Sequence, residues 1–193
     1  MAKILIYGSR DFGVVLKRLV IQCGHEFIGF VDDWHTGPEV LGTFDQVSRK
    51  WPAGSCEVVL AVGYKHLLAR RRLLIALQDS GYAVCTLIHP AAVVSPDSRL
   101  DAGVTIMAGA VIDSNAVVGA GSVVWPGAVL NHDVSVGANS FISPNATVCG
   151  YVNLGESCFV GAGATIVDHT DAPAHTFIKA GSVYLGRKPL SID

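Results

Sequence analysis

The 193-residue sequence is poor in charged residues, and this limits the partners it can have. Lys, Arg, Asp and Glu make up 16% of the residues, and the formal net charge is −2. Proteins that bind the phosphate backbone of nucleic acids need a concentrated basic surface, which this composition does not provide. We therefore expect no nucleic acid among the partners.

Long apolar runs and paired cysteine motifs are also missing. No stretch approaches the ~20 apolar residues that cross a bilayer, and the apolar run after Lys3 is too short for a signal peptide. The five cysteines show neither a CxxC motif nor another zinc-ligand spacing, so each is expected to be a small buried side chain. The sequence therefore predicts no membrane span, no metal site and a cytoplasmic location.

The first 89 residues alternate between strand-like and helix-like patterns. Apolar residues recur with helical spacing at 11–22 and 65–80. The strand-like segments are KILIYG at 3–8, EFIGFVDD at 26–33, VVLAVG at 58–63 and YAVCTLI at 82–88. Strands separated by helices favour a parallel sheet with right-handed crossovers. We therefore predict a small α/β, Rossmann-like domain over residues 1–89.

A six-residue repeat occupies the rest of the chain. Starting at Val94, thirteen consecutive sixth positions, the last of them Ile166, hold Val, Ile or Leu. This period fits neither an α-helix nor a sustained strand alternation. It is typical of a left-handed parallel β-helix, in which three hexads form one coil and residues 18 apart stack at a strand spacing of ~4.8 Å. We predict this fold for residues 90–193 and, by analogy with the fold, a homotrimer.

The densest polar feature within the repeat is Asn131-His132-Asp133. His132 occupies an outward corner of its hexad, and Gly150, 18 residues later, is expected to stack directly over it. A histidine can remove a proton near pH 7, and Asp133 could orient the imidazole. The Gly150 N–H could stabilise a developing oxyanion. These residue types predict acyl transfer with His132 as general base.

A second polar feature lies in the first domain. The loop GSRDFG at 8–13 follows a strand and opens a helix, where backbone N–H groups can hold a phosphate. Its middle glycine is replaced by Arg10, and Asp32-Asp33 ends the second strand about twenty residues later. Loop and acidic strand end together favour a nucleotide site over a turn that serves packing alone.

The order of these parts resembles the bacterial sugar acetyltransferases of the sialic-acid O-acetyltransferase and UDP-4-amino-sugar N-acetyltransferase type. The resemblance covers nearly the full length. Its motifs are YGSRDFG at 7–13, GFVDD at 29–33, AVGY at 61–64, LNHDVSVG at 130–137 and CFVGAGATI at 158–166. It implies an enzyme that moves an acetyl group from acetyl-CoA to the amino group of a nucleotide-linked 4-amino-4,6-dideoxy sugar. Such products serve lipopolysaccharide, other surface glycans or glycoprotein sugars.

The resemblance also implies roles for individual residues. His132 and Asp133 are the expected catalytic residues. Gly150, Ala162 and Ala180 are expected beside the CoA arm. The expected sugar-nucleotide contacts are Gly8, Ser9, Arg10, Asp32, Asp33, Gly63 and Tyr64.

Two departures from the family pattern and two other functions stay open at this point. Phe141 stands where many members carry a second His, and the chain ends in GRKPLSID rather than in the usual CoA-contacting segment. The acceptor could instead be a hydroxyl of sialic acid or another sugar. The chain could also be a non-catalytic trimeric scaffold. The nucleotide base, the sugar and the acyl group are not determined by the sequence.

Overall fold

The computed structural model describes residues 1–186 and divides the chain into two compact units. The first ends at Leu87 and the second begins at Ile88. Most of the C-terminal departure GRKPLSID, from residue 187 onward, lies outside the described residues. Within residues 1–186, none of the helices is both long and apolar enough to cross a bilayer.

The first unit contains a parallel five-stranded sheet with the strand order β3-β2-β1-β4-β5. Its elements are β1 Lys3–Tyr7, α1 Asp11–Gln22, β2 Glu26–Val31, β3 Val40–Gly42, α2 Phe44–Lys50, β4 Glu57–Leu60, α3 Leu67–Asp79 and β5 Ala83–Val84. A 3-10 turn, Tyr64–His66, precedes α3. The predicted α/β class is confirmed, and β3 and α2 are additions that the sequence pattern did not indicate.

Close packing of α1 against the end of β1 depends on Gly13. A Cβ atom on Gly13 would lie 2.2 Å from the Gly8 carbonyl oxygen, so only glycine allows this approach. The central strand β1 is buried on both faces, since Ile4, Leu5 and Ile6 are at most 1% exposed. This double burial explains why β1 appears in the sequence as a continuous apolar run.

The second unit is a β-helix of two-residue strands, the first of which begins at Leu87, the last residue of the first unit. They are β6 Leu87–Ile88, β7 Val93–Val94, β8 Arg99–Leu100, β9 Thr105–Ile106, β10 Val111–Ile112, β11 Val117–Val118, β12 Val123–Val124, β13 Val129–Leu130, β14 Ser135–Val136, β15 Phe141–Ile142, β16 Thr147–Val148, β17 Asn153–Leu154, β18 Phe159–Val160, β19 Thr165–Ile166, β20 Asp171–Ala172, β21 Phe177–Ile178 and β22 Val183–Tyr184. They form three parallel sheets, in which each strand pairs with the third strand before and after it.

The register of these sheets is the predicted one. Val111 pairs with Val129, and Val129 pairs with Thr147, so each partner lies 18 residues away. The second residue of most strands faces the axis, where Ile112, Leu130 and their counterparts form one continuous buried core. The left-handed parallel β-helix predicted from the six-residue period is confirmed.

From residue 101 onward, each turn between strands contains a residue with left-handed backbone geometry. Glycine takes this position in several turns, but one column of turns uses other residues. This column, which we call the Asn115 corner, comprises Asn115, Asp133, Tyr151 and His169, with φ values of 57°, 57°, 59° and 54°. Asn and Asp tolerate this geometry, whereas an aromatic residue adopts it rarely and at a cost in energy. The column therefore combines ordinary turn residues with a strained Tyr151.

The five cysteines are all free. Cys56, Cys85 and Cys158 are buried, as expected, whereas Cys23 and Cys149 are half-buried. The prediction of small buried side chains is thus confirmed for three of the five.

Candidate active site

His132 follows strand β13 in a turn on the surface of the β-helix. Its side chain is 50% exposed, and its Nδ1 lies 3.0 Å from Asp133 Oδ2. Adjacent side chains of a strand point to opposite faces. Here the left-handed φ of Asp133 turns the side chains of His132 and Asp133 toward each other. An Nδ1–H that donates to this carboxylate leaves Nε2 with a free lone pair. The pair can therefore act as an oriented general base.

Gly150 lies against the imidazole from the next coil. A Cβ atom on Gly150 would be 2.7 Å from His132 Cε1 and 2.9 Å from Nε2. The ring thus occupies the space that a side chain at position 150 would fill. The predicted stacking of Gly150 on His132 is present in the structure.

Gly150 is buried, and its N–H differs from those of its neighbours in its hydrogen bonding. Cys149 N–H and Tyr151 N–H donate to the carbonyls of Ile166 and His132, at 3.0 and 3.3 Å. Among the backbone hydrogen bonds of residues 1–186, the Gly150 N–H donates none. A backbone donor beside a general base is the arrangement that stabilises an oxyanion during acyl transfer.

Two aromatic rings extend the site along the Asn115 corner. The ring of Tyr151 meets the His132 ring edge-on, with centroids 5.2 Å apart and an interplanar angle of 82°. Tyr151 also stacks on His169 at 4.7 Å and 29°. The sequence analysis included neither Tyr151 nor His169 in the site, although they lie 18 residues apart on one corner. Among residues 1–186 no group of three or more metal-ligating side chains is present.

Ala162 and Ala180 lie at another corner of the prism. They stack on successive coils, and Gly181 N–H donates to the Ala162 carbonyl at 2.9 Å. Both side chains are exposed. Gly150 belongs instead to the His132 corner, because only residues separated by multiples of 18 share a corner. Within one chain, the three residues expected beside CoA therefore form two separate groups.

In the first unit, Asp32 holds the loop after β1. Ser9 donates to Asp32 Oδ2 through both its N–H, at 3.0 Å, and its hydroxyl, at 2.6 Å. Oδ1 accepts the N–H groups of Trp34 and His35, at 3.0 and 2.9 Å. Burial alone would raise the pKa of Asp32, but the hydrogen bonds from Ser9, Trp34 and His35 outweigh burial and hold it well below its ordinary value.

These contacts bear on the sugar-nucleotide contact expected of Asp32. The resemblance implies that Asp32 contacts the sugar nucleotide, and in the structure Asp32 is 6% exposed with both of its oxygens engaged within the protein. The carboxylate instead joins the Ser9 loop to the turn at Trp34. We therefore interpret Asp32 as the residue that shapes this surface.

Three other predicted nucleotide contacts are Ser9, Arg10 and Asp33. Two of them line a cavity, and the third is hydrogen-bonded within the protein. Ser9 and Arg10 line a cavity of about 300 Å³ together with His35. Asp33 accepts hydrogen bonds from the Tyr7 hydroxyl and, at 2.8 Å, from Phe44 N–H. Burial and the bond to Asp33 raise the pKa of Tyr7.

The remaining predicted contacts flank these residues. Gly8, at φ 107°, follows β1, and a Cβ atom on it would lie 3.1 Å from the Ala61 carbonyl oxygen. Gly63 precedes the 3-10 turn, and Tyr64 is 42% exposed. Neither Gly63 nor Tyr64 lines the cavity formed by Ser9, Arg10 and His35.

The repeat region matches a known family. Residues 97–132 and 115–150 match the family described as bacterial transferase hexapeptide (six repeats). The first matched segment ends at His132, and the second includes the whole turn that carries it.

Solved structures extend the similarity to the whole chain. The acetyltransferase domain of PglB from Neisseria gonorrhoeae FA1090 is similar with a TM-score of 0.91 and 28% identity, over 98% of this chain and 94% of that chain. A variant of perosamine N-acetyltransferase from Caulobacter crescentus was solved with CoA and GDP-perosamine. It is similar with a TM-score of 0.90 and 29% identity, over 99% of this chain and 92% of that chain. The chain is thus similar over nearly its whole length to bacterial sugar acetyltransferases, and its repeat region matches the hexapeptide transferase family. The resemblance inferred from its motifs is confirmed.

Phe141, one of the two departures from the pattern of the sugar acetyltransferases, is packed among other aromatic rings. Phe141, where many members carry a second His, is 4% exposed. Its ring lies 5.8 Å from Trp125 and stacks on Phe159 at 6.2 Å. Phe159 in turn stacks on Phe177 at 5.0 Å. An apolar ladder of rings therefore replaces a polar contact at this position.

Replacing Asp32 by Asn is expected to lower the free energy of unfolding by about 2 kcal/mol, because hydrogen bonds to a charged acceptor are strong. The pKa of Asp32 is lower in the folded than in the unfolded chain, so this stabilisation is present above about pH 4 and lost as the pH falls further. Urea unfolding between pH 3 and 7 measures both effects.

The matched control is Asp171→Asn, since Asp171 is exposed on β20. It should change the free energy of unfolding by less than about 0.5 kcal/mol. Equal losses in the two variants, or a loss in Asp32→Asn that does not shrink at low pH, would contradict the role assigned to Asp32.

Proposed function

We propose that the protein transfers an acetyl group from acetyl-CoA to the amino group of a nucleotide-linked 4-amino-4,6-dideoxy sugar. The observation that carries the proposal is the His132–Asp133 pair packed against Gly150. This pair lies in a chain that is similar, over 99% of its length, to an N-acetyltransferase solved with CoA and GDP-perosamine. A domain solved with acetyl coenzyme A is also similar, at a TM-score of 0.82 and 26% identity, over 98% of this chain and 99% of that one.

The reaction follows from the groups at the site. The sugar amine attacks the thioester carbonyl while His132 Nε2 removes a proton from its nitrogen. Negative charge then develops on the carbonyl oxygen, where the Gly150 N–H donates a hydrogen bond. Collapse of the tetrahedral intermediate breaks the carbon–sulfur bond, and the CoA sulfur takes the proton from His132. Asp133 stabilises the imidazolium formed between these steps.

The substrates are assigned to surfaces that carry suitable groups. The nucleotide binds the first unit at the loop held by Asp32, where Ser9 and Arg10 line a cavity. Acetyl-CoA lies along the edge of the β-helix. Because Gly150 and the Ala162–Ala180 pair occupy different corners of one prism, CoA contacts all three residues only in a groove between neighbouring prisms. The proposal therefore includes a homotrimer.

The pathway and location follow from the substrates. A nucleotide-linked sugar is an activated donor, so its N-acetylated product supplies glycosyl transfer to lipopolysaccharide, another surface glycan or a glycoprotein. Since acetyl-CoA is an intracellular metabolite, we place the reaction in the cytoplasm.

A panel of acceptors tests the proposal. Purified protein and acetyl-CoA are combined separately with UDP-, GDP- and dTDP-linked 4-amino-4,6-dideoxy sugars and with sialic acid. We expect release of the CoA thiol, and mass gain on the sugar nitrogen, with one nucleotide-linked amino sugar. O-acetylated sialic acid as the only product would replace the proposal with sugar O-acetylation.

Thermal unfolding distinguishes an enzyme from a scaffold. Acetyl-CoA and one of UDP, GDP or dTDP should each raise the melting temperature, since a ligand at about 100 times its Kd contributes about 2.7 kcal/mol to the folded state. An unchanged melting temperature with every ligand, together with no turnover, would favour a non-catalytic trimeric scaffold.

A further inference from the structure

The carboxylate of Asp133 has a second partner besides His132. Asn115, one coil earlier on the Asn115 corner, donates from Nδ2 to Asp133 Oδ1 at 3.2 Å. Oδ2 of the same carboxylate faces His132 Nδ1 at 3.0 Å. The two oxygens thus have separate partners, and the carboxylate links Asn115 to the imidazole.

The link matters because Asp133 is only partly enclosed. Its side chain is 33% exposed, and the terminal rotation of an aspartate carboxylate is broad and poorly restricted. A hydrogen bond to Oδ1 limits that rotation and keeps Oδ2 directed at Nδ1. The carboxylate then holds the proton of a neutral imidazole on Nδ1 and leaves the Nε2 lone pair for the acceptor.

The same geometry occurs elsewhere without a histidine. Asn139, at φ 60°, donates from Nδ2 to Ser157 Oγ on the next coil at 2.9 Å. A corner asparagine that reaches to the following coil is therefore a structural feature of this β-helix. At Asn115 the acceptor is instead the carboxylate that orients His132, and this difference separates a functional from a purely structural role.

We propose that Asn115 is a positioning residue for His132, acting through Asp133 to keep the imidazole proton on Nδ1. Its importance for turnover rests on the proposed function. The effect of Asn115 on the imidazole is independent of the proposed function, because the tautomer of His132 can be observed in the protein without substrates.

Asn115→Gly is the informative variant. Glycine adopts the left-handed φ of 57° without strain, so the turn is kept while the amide donor is removed. Asn115→Ala would add backbone strain at this φ and is less suitable. Asn115→Asp keeps the shape but sets a carboxylate against Asp133, so it should disrupt the pair further.

Nitrogen NMR of the full-length protein labelled in its histidines measures the tautomer, with the His132 signals assigned by their loss in His132→Gln. We expect wild-type His132 to be protonated on Nδ1 when neutral, and Asn115→Gly to shift the population toward the Nε2-protonated form. An identical His132 spectrum in wild type and Asn115→Gly would overturn the proposal.

Kinetics and a matched control complete the test. With acetyl-CoA and the accepted amino sugar, Asn115→Gly should lower kcat about tenfold and change either KM by less than about twofold. Asn139→Gly removes the equivalent hydrogen bond at another corner. It should lower the melting temperature while leaving kcat and the His132 spectrum unchanged.

The two proposals fail in different ways. A shifted tautomer with no turnover of any amino sugar would refute the proposed function and keep the positioning of His132 by Asn115. If the protein turns over an amino sugar but Asn115→Gly and Asn139→Gly have the same kcat and the same His132 spectrum, the positioning role is refuted and the proposed function is kept.

Discussion

His132→Gln should lower kcat for acetyl transfer by roughly 10²- to 10⁴-fold, the usual contribution of a general base. Glutamine resembles histidine in reach and retains a polar end, but it cannot take a proton from the attacking amine. Because the His132 side chain is 50% exposed, its loss removes little buried contact. The melting temperature should therefore stay close to that of the wild type, and the fall should appear in kcat rather than in either KM.

The measurement is the initial rate of CoA release with both substrates saturating. The control is His175→Asn, since His175 lies in a turn at φ 63°, a geometry that asparagine tolerates. It should retain wild-type kcat. A His132→Gln enzyme that kept more than about a third of kcat would rule out His132 as the base, because general-base loss costs at least about 10²-fold.

The β-helix was predictable because a single geometric rule applies to every coil. The axis accepts one aliphatic residue every six positions, as at Ile112 and Leu130, and the backbone pairs residues 18 apart without insertions. A repeat of this kind reveals the period, the register and the core together. Few other folds allow this, since their pairings depend on contacts that are distant in sequence.

The first unit shows where such reasoning fails. Strand β3 has three residues and is defined mainly by its pairing with β2, so no local alternation indicates it. Helix α2 is also short, but its beginning was encoded. Thr43 and Gln46 form a capping box, in which Gln46 Oε1 accepts a hydrogen bond from Thr43 N–H at 3.1 Å, and the spacing T-x-x-Q is visible in the sequence.

The site was partly predictable for the same reason as the β-helix. The 18-residue period alone predicts that Gly150 lies against His132. It did not reveal Asn115 or Tyr151, because their side-chain directions depend on a left-handed φ that the aliphatic pattern does not encode. Likewise, an acidic strand end indicated Asp32 but not that its oxygens are used within the protein.

Gly150→Ala is expected to lower kcat by about 10²-fold, comparable to the loss of one oxyanion donor. The three atoms nearest to the new Cβ would all belong to the His132 ring, at 2.7 to 3.3 Å. Gly150 does not have a left-handed φ, so alanine causes no backbone strain there. The imidazole must therefore move, which weakens its contact with Asp133 and displaces Nε2 from the attacking amine.

The double variant Gly150→Ala/His132→Gln shows whether the methyl group acts through the ring. If it does, the methyl group has little left to disturb once the imidazole is gone, and the double variant should be no slower than His132→Gln alone. Such non-additivity is the mark of residues that act as a unit. If Gly150→Ala instead lowers kcat by the same factor in the His132→Gln background as in the wild type, the methyl group blocks the substrate or its access to the Gly150 N–H. In that case the close packing of Gly150 on His132 would serve oxyanion binding rather than the orientation of the base.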